Sequence, residues 1–160
     1  MTTSPRKLGV PPQAILTNVI QVDEILAQEK RVTLLHFNAD DAFELGISIR
    51  NRLRELSENP AVVNIILANN QQLLFHAILR FGFSTWAAHN MFDQGDENTF
   101  KARFQLGEQA GDYAIHGGGF AVRVQAVEGP VAAVVVSGLA QEEDHQVILE
   151  CLQVLLDVQK

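Results

Sequence analysis

The segment from Tyr113 to Phe120 has the residue types best suited to chemistry. It reads Tyr-Ala-Ile-His-Gly-Gly-Gly-Phe, so His116 precedes three consecutive glycines. Three glycines before a strand are costly in backbone entropy, which indicates that something requires this backbone. Two interpretations stay open. The glycines let a ligand or another backbone approach closely and expose amide donors to an anion, or they form a tight connection or bulge where the strand begins.

Three side chains are candidates for contacting a ligand. As a neutral imidazole, His116 could be an axial ligand of haem iron or a proton carrier near neutral pH. Arg123 is suited to bind a ligand carboxylate, or equally to pair with Asp144 or Glu142. His76 lies in an apolar strand, where a hydrogen-bonded structural histidine is the simpler interpretation. The candidate ligand-binding residues are His116, Gly117, Gly118, Gly119, Arg123 and His76.

The remaining polar residues do not complete a metal or catalytic set. No two histidines have the spacing that places two nitrogens on one metal, and Cys151 is the single cysteine, so we predict no metal site and a buried structural thiol. Ser137, Asp144 and His145 suggest a hydrolase, but the serine lacks the Gly-x-Ser-x-Gly turn of that class. The acids beside His145 are explained by their place at the positive end of a helix.

Composition excludes several classes of protein. The 160 residues carry 12 basic and 19 acidic side chains, a net charge of −7, which argues against a nucleic-acid partner. No stretch approaches the roughly 20 apolar residues that span a bilayer. Residues 1–13 lack the apolar run of a signal peptide, so we expect a cytoplasmic protein.

The elements that position these residues follow from apolar periodicity. Residues 1–12 are predicted to be a mobile N-terminal arm and 13–160 one domain. Helices are predicted at 15–26, 38–58, 97–106 and 141–158, and strands at 32–37, 61–68, 72–77, 121–127 and 131–137. Short turns join the second strand to the third and the fourth to the fifth. The predicted fold class is therefore α/β (α+β), an antiparallel five-stranded sheet with helices packed on it.

Several stretches together resemble a known family. They are Y-A-I-H-G-G-G-F-A-V-R-V from Tyr113, V-E-G-P-V from Val127 and V-V-V-S-G-L-A-Q-E-E-D-H from Val134, together with L-L-F-H-A from Leu73 and R-F-G-F-S from Arg80. The chain resembles the haem-degrading (HbpS/GlcG-like) domain family, in a small branch with a Tyr-Ala-x-His-Gly-Gly-Gly-Phe motif. The resemblance covers most of the chain from the first helix onward.

The resemblance implies a profilin-like fold, a cytoplasmic location and assembly into symmetric homo-oligomers. Distant relatives bind haem or a corrinoid, or degrade haem. The sequence departs from the branch in one place, because members carry an extra stretch with a tryptophan and a basic cluster where Ala77 here runs almost directly into Arg80. This departure removes a helix and positive charge from beside the predicted pocket.

Three functions stay open. The first is binding of haem or a related tetrapyrrole, with His116 or His76 near iron and the glycines and Arg123 at the propionates. The second is a non-catalytic oligomeric scaffold or protein-interaction factor, suggested by the wide apolar face of the last helix. The third is an enzyme acting on a small carboxylate metabolite, with His116 as acid or base. A shared fold does not distinguish these three functions, because function depends on the residues of the site.

Overall fold

The computed structural model describes residues 18–68, 83–92, 96–108 and 118–160. These residues form five helices and three strands, which confirms a mixed α/β fold. In chain order they are α1 (Asn18–Arg31), α2 (Ala39–Leu56), β1 (Val62–Leu67), α3 (Thr85–Met91), α4 (Glu97–Arg103), β2 (Gly119–Val122), β3 (Ala132–Ser137) and α5 (Gln141–Gln159). None of the helices in the described ranges is long and apolar enough to cross a membrane.

The described strands form an antiparallel sheet in the order β1-β3-β2. In the centre of the sheet, β3 places Val136 opposite Val63 and Val134 opposite Phe120. Its residues Ala132 to Val134 are fully buried. This explains why the sequence of β3 is continuously apolar instead of alternating between apolar and polar residues. The predicted hairpin of the last two strands is confirmed, with β2 beginning at Gly119 and ending at Val122.

The first predicted strand, 32–37, is much shorter in the structure. Only Leu34 forms a bridge, parallel to Val124. The Leu34 amide donates to the Arg123 carbonyl oxygen at 2.9 Å, and the Gln125 amide donates to the Leu34 carbonyl oxygen at 2.9 Å. The Leu35 amide faces away from Val124 and donates to the side chain of Gln159. The predicted strand 72–77 lies outside the described residues.

The main core lies between one face of the sheet and the helices α2 and α5. Helix α2 contributes Leu45, Ile49 and Leu53, as its periodicity predicted. Helix α5 buries Val147, Ile148, Cys151 and Leu152, which therefore belong to the chain's own core. Burial raises the pKa of the Cys151 thiol to about 11, so this cysteine is an inert packing group at neutral pH.

The predicted start of α2 is confirmed in detail. The side chain of Asn38 accepts hydrogen bonds from the amides of Asp40 and Asp41, and the Asp41 carboxylate accepts one from the Asn38 amide. This reciprocal pattern is a capping box, which satisfies amides that have no partner within the helix. Burial raises the pKa of Asp41, but hydrogen bonds from His36 and the Asn38 amide outweigh it and hold the pKa below its usual value.

A smaller aromatic core holds α3 against α4. The rings of Phe92 and Phe100, and those of Phe100 and Phe104, lie 5.2 Å apart in edge-on arrangements. Helix α3 also packs on α1 and reaches β2. The N-terminal end of α3, with Ser84 and Thr85, is thereby placed beside the first residues of β2.

Candidate functional site

The predicted site residues are divided between described and undescribed parts of the chain. Gly118, Gly119 and Arg123 lie at the two ends of β2. His116, Gly117 and His76 lie outside the described residues, as does the predicted arm at 1–12.

At Gly118 the close approach predicted from the glycines is made by a neighbouring strand. The residue has φ +105°, and a Cβ built there would lie 2.1 Å from the Val136 carbonyl oxygen and 3.4 Å from the Asp144 Cβ. Its own carbonyl oxygen accepts a hydrogen bond from the Val136 amide at 2.8 Å. A side chain at this position would therefore push β3 away, which explains the glycine without a ligand.

The amide of Gly119 already has a partner inside the protein. It donates to the Thr85 hydroxyl oxygen at 2.9 Å. The sequence suggested that the glycine amides could donate to an anion. The amide of Gly119 instead holds α3 against β2. An anion could reach it only by displacing Thr85.

At the other end of β2, half-buried Arg123 is electrostatically coupled to Glu29 of α1. The Glu29 Oε2 atom accepts a hydrogen bond from the Ser84 amide at 3.3 Å, and Ser84 is fully buried. Burial raises the pKa of Glu29, against the lowering effects of the hydrogen bonds with Ser84 and of the charge on Arg123. The Glu29 Oε1 atom is buried and has no hydrogen-bond partner.

Asp144 is buried at the N-terminal end of α5, where it holds the loop that follows β3. Its carboxylate accepts hydrogen bonds from the Leu139 amide at 3.1 Å and the Gly138 amide at 3.4 Å. Burial raises the pKa of the Asp144 carboxyl, although these two hydrogen bonds oppose the shift. The contacts support a structural role for this acid, as its helix position predicted.

His145 is the buried histidine among the described residues. Its ring packs against Phe120 with centroids 5.5 Å apart, and only 3% of the residue is exposed. Neither ring nitrogen has a hydrogen-bond partner, so it forms no relay with Ser137 and the rejection of a hydrolase triad is supported. Burial lowers the pKa of His145 to about 4, so the imidazole is neutral at physiological pH.

Glu29 and His145 were not predicted as site residues, although the sequence contains a signal for each. His145 occupies the helical face that Ile148, Leu149 and Leu152 continue, where the pattern otherwise places apolar side chains. Glu29 comes four residues after buried Ile25 in the same way. A polar group on an apolar face indicates a specific partner. In the described part of the chain no group of three or more His, Cys, Asp or Glu side chains could hold a metal ion.

Comparison with known proteins identifies the family. Residues 76–153 match the family model described as haem-degrading protein HbpS-like. A UPF0303 protein of Streptomyces avermitilis is 35% identical, with 82% of this chain and 88% of the relative covered. The UPF0303 protein YBR137W of Saccharomyces cerevisiae is 29% identical over 88% of this chain and 87% of its own.

A solved structure supports the same assignment. The crystal structure of Ybr137w protein superimposes with a TM-score of 0.73 and 26% identity, covering 88% of this chain and 91% of the other. The chain therefore belongs to the HbpS-like haem-degrading family, as the motifs predicted. Within that family its relatives are the UPF0303 proteins.

Proposed function

We propose that this chain binds haem or a related tetrapyrrole at a site around β2. The observation that carries the proposal is the match to a family model described as haem-degrading, whose residues 76–153 include every candidate ligand-binding residue. In this proposal His116 or His76 approaches the iron, since neutral imidazole is a common axial ligand of haem. Gly117 allows the macrocycle to approach the backbone.

The contacts of Arg123 support a role in holding a propionate. The guanidinium lies near Glu29, whose carboxyl pKa is raised by burial. A carboxyl held closer to neutrality is a weaker counter-ion, so a ligand propionate could replace it beside Arg123. Gly118 and Gly119 then serve to fix the start of β2 next to this site, since their own backbone groups contact β3 and Thr85.

We also propose that the sheet has five strands in a profilin-like arrangement, within a single domain from residue 13 to 160. The bridge between Leu34 and Val124 supports a first strand beside β2. The other additional strand would be residues 72–77, which would follow β1 after a turn at Asn69-Asn70. His76 would then lie on an edge strand of the same sheet.

The test is a haemin titration that follows the Soret band. We expect a saturable shift for the wild type, loss of that shift in either His116→Ala or His76→Ala, and about tenfold weaker binding in Arg123→Gln because a charge-assisted hydrogen bond is lost. His36→Ala is the matched control, because His36 is exposed and pairs with Asp41 at the start of α2. Bleaching on addition of ascorbate would extend the proposal to haem degradation.

The proposal is contradicted if the wild type shows no saturable Soret shift. It is also contradicted if His116→Ala, His76→Ala and His36→Ala all bind haemin as the wild type does. The second result would show that neither candidate histidine approaches the iron.

A second candidate function is that of a cytoplasmic homo-oligomeric scaffold. The predicted apolar face of α5 is largely buried in the chain's own core, although Val154 and Val158 remain exposed. The stronger support is at α2 and β1, where Phe43 is 67% exposed and borders a surface groove that Val63 and Ile65 of β1 also line. An exposed aromatic side chain beside an apolar groove favours contact with another protein surface.

We expect Phe43→Ser to reduce the oligomer mass measured by light scattering, because it removes the largest exposed apolar side chain of this surface. The monomer should keep its unfolding midpoint, since exposed substitutions usually change stability by less than about 0.5 kcal/mol. Glu44→Ser, at the next exposed position of α2, is the control. An unchanged mass in Phe43→Ser would exclude this surface as the subunit contact.

A further inference from the structure

Two arginines line a surface cavity at the C-terminal end of α2. The cavity has a volume of about 520 Å³, and it lies between the last turns of α2 and the loop that leads to β1. We propose that Arg50 and Arg54 bind the phosphate group of a small hydroxylated metabolite in this cavity. The site uses none of the residues proposed above to bind a tetrapyrrole.

The first argument is that these two guanidinium groups have no counter-charge in the described part of the chain. Arg50 donates only to the side chain of its neighbour Asn51, at 3.4 Å, and Arg54 forms no ion pair with a described residue. Arg52 of the same helix, by contrast, is paired with Glu150 at 3.0 Å. Acidic residues outnumber basic ones by 19 to 12, so a counter-charge is missing here although the chain is rich in carboxylates.

The second argument is the spacing of the two arginines. They are four positions apart, so their side chains lie on one face of the helix, where two like charges repel each other. The negative end of the helix dipole explains a cation in the last turn, where Arg54 lies. That effect falls off within one turn, so it does not explain Arg50. A bound anion would remove the repulsion between both groups.

The third argument is that the wall opposite the arginines is held in place by the chain's own packing. The Ser57 amide donates to the Leu53 carbonyl oxygen at 3.0 Å, and the Asn59 amide donates to the Ser57 hydroxyl oxygen at 3.1 Å. A Cβ at Gly138 would lie 2.4 Å from the Ala61 Cβ, so this loop packs directly against the residue that follows β3. A preformed wall favours binding, because less conformational freedom is lost when the ligand enters.

The donors and acceptors of the cavity indicate the class of ligand. A carboxylate has two oxygens and is satisfied by one guanidinium, whereas a phosphate monoester has three terminal oxygens and can accept from both Arg50 and Arg54. Glu58 lines the same cavity. A carboxylate can only accept hydrogen bonds, so the organic part of the ligand must donate from a hydroxyl group on that side. The ligand class is therefore the phosphate monoester of a small polyol or sugar, and the cavity volume lies in the usual range of ligand sites.

The test is isothermal titration calorimetry with glycerol 3-phosphate at constant ionic strength. We expect saturable binding to the wild type and at least about tenfold weaker binding in Arg50→Gln and in Arg54→Gln, because each variant loses charge-assisted hydrogen bonds to the phosphate. Arg103→Gln is the matched control and should bind as the wild type does, since Arg103 is an exposed arginine in the last turn of α4 and does not line the cavity. All three variants should keep the unfolding midpoint of the wild type without ligand, because these positions are exposed.

A comparison of glycerol 3-phosphate with inorganic phosphate tests the role of Glu58. Removing this negative charge should help both ligands, but only glycerol 3-phosphate has hydroxyl groups that lose an acceptor. We therefore expect the preference for glycerol 3-phosphate over inorganic phosphate to fall at least about fivefold in Glu58→Ala.

The proposal is overturned if glycerol 3-phosphate gives no saturable heat of binding at concentrations up to about 10 mM. It is also overturned if Arg103→Gln weakens binding as much as Arg50→Gln and Arg54→Gln do, since the protein would then attract anions only through its general positive charges. An unchanged preference between the two ligands in Glu58→Ala would contradict a hydroxylated ligand.

Discussion

Replacing Gly118 by alanine is expected to lower the free energy of unfolding by about 4 kcal/mol, since two costs act together. The backbone has φ +105°, a conformation that side-chain-bearing residues rarely adopt, and the new Cβ would lie 2.1 Å from the Val136 carbonyl oxygen. That oxygen belongs to the central strand and cannot move without disturbing the pairing of β3 with β1 and β2. Urea unfolding measured by circular dichroism checks this prediction.

The matched control for Gly118 is Gly107→Ala. Gly107 also has positive φ, at +52°, but a Cβ there would meet nothing within 4 Å. Its replacement should cost only about 1 kcal/mol, which is the conformational cost alone. Equal losses in the two variants would contradict the close approach of β3. Failure of Gly118→Ala to fold, with Gly107→Ala folded, would agree with it.

Acidification from pH 6.5 to pH 4 is expected to remove about 3 kcal/mol of stability through His145 alone. Burial lowers its pKa from 6.5 to about 4 in the folded protein. The unfolded chain therefore binds a proton near pH 6.5 while the folded protein does not, and the stability present above pH 6.5 is lost as the pH falls towards 4. The raised pKa values of Glu29 and Asp144 act in the opposite direction, because those carboxyls favour the folded state when protonated.

The contribution of His145 is isolated by comparing the wild type with His145→Leu. The difference between their free energies of unfolding should change by about 3 kcal/mol between pH 6.5 and pH 4, because leucine cannot be protonated. His36→Gln, which replaces an exposed imidazole, should keep the acid-dependent loss due to His145. Parallel curves for wild type and His145→Leu would show that the ring is protonated as readily in the folded state as in the unfolded one.

The candidate site was only partly predictable from the sequence. The glycines at 118 and 119 and the arginine at 123 are unusual enough to be noticed, and they lie at the two ends of β2. The reason why position 118 requires glycine was not predictable, because it depends on the position of a carbonyl oxygen of β3. The burial of His145 was not predictable either, because it depends on the packing of α5 against β2 and α1.

The sequence alone determined the features that depend on neighbouring residues. The helix start at Asn38, the apolar faces of α2 and α5, and the hairpin that joins β2 to β3 were all predicted, because caps, helical periodicity and turns involve residues only a few positions apart. The tertiary structure decided that Leu34 contributes only a bridge and that Gly118 lies directly against the Val136 carbonyl oxygen. Those outcomes depend on contacts between distant segments and on the water that packing excludes, which no local pattern encodes.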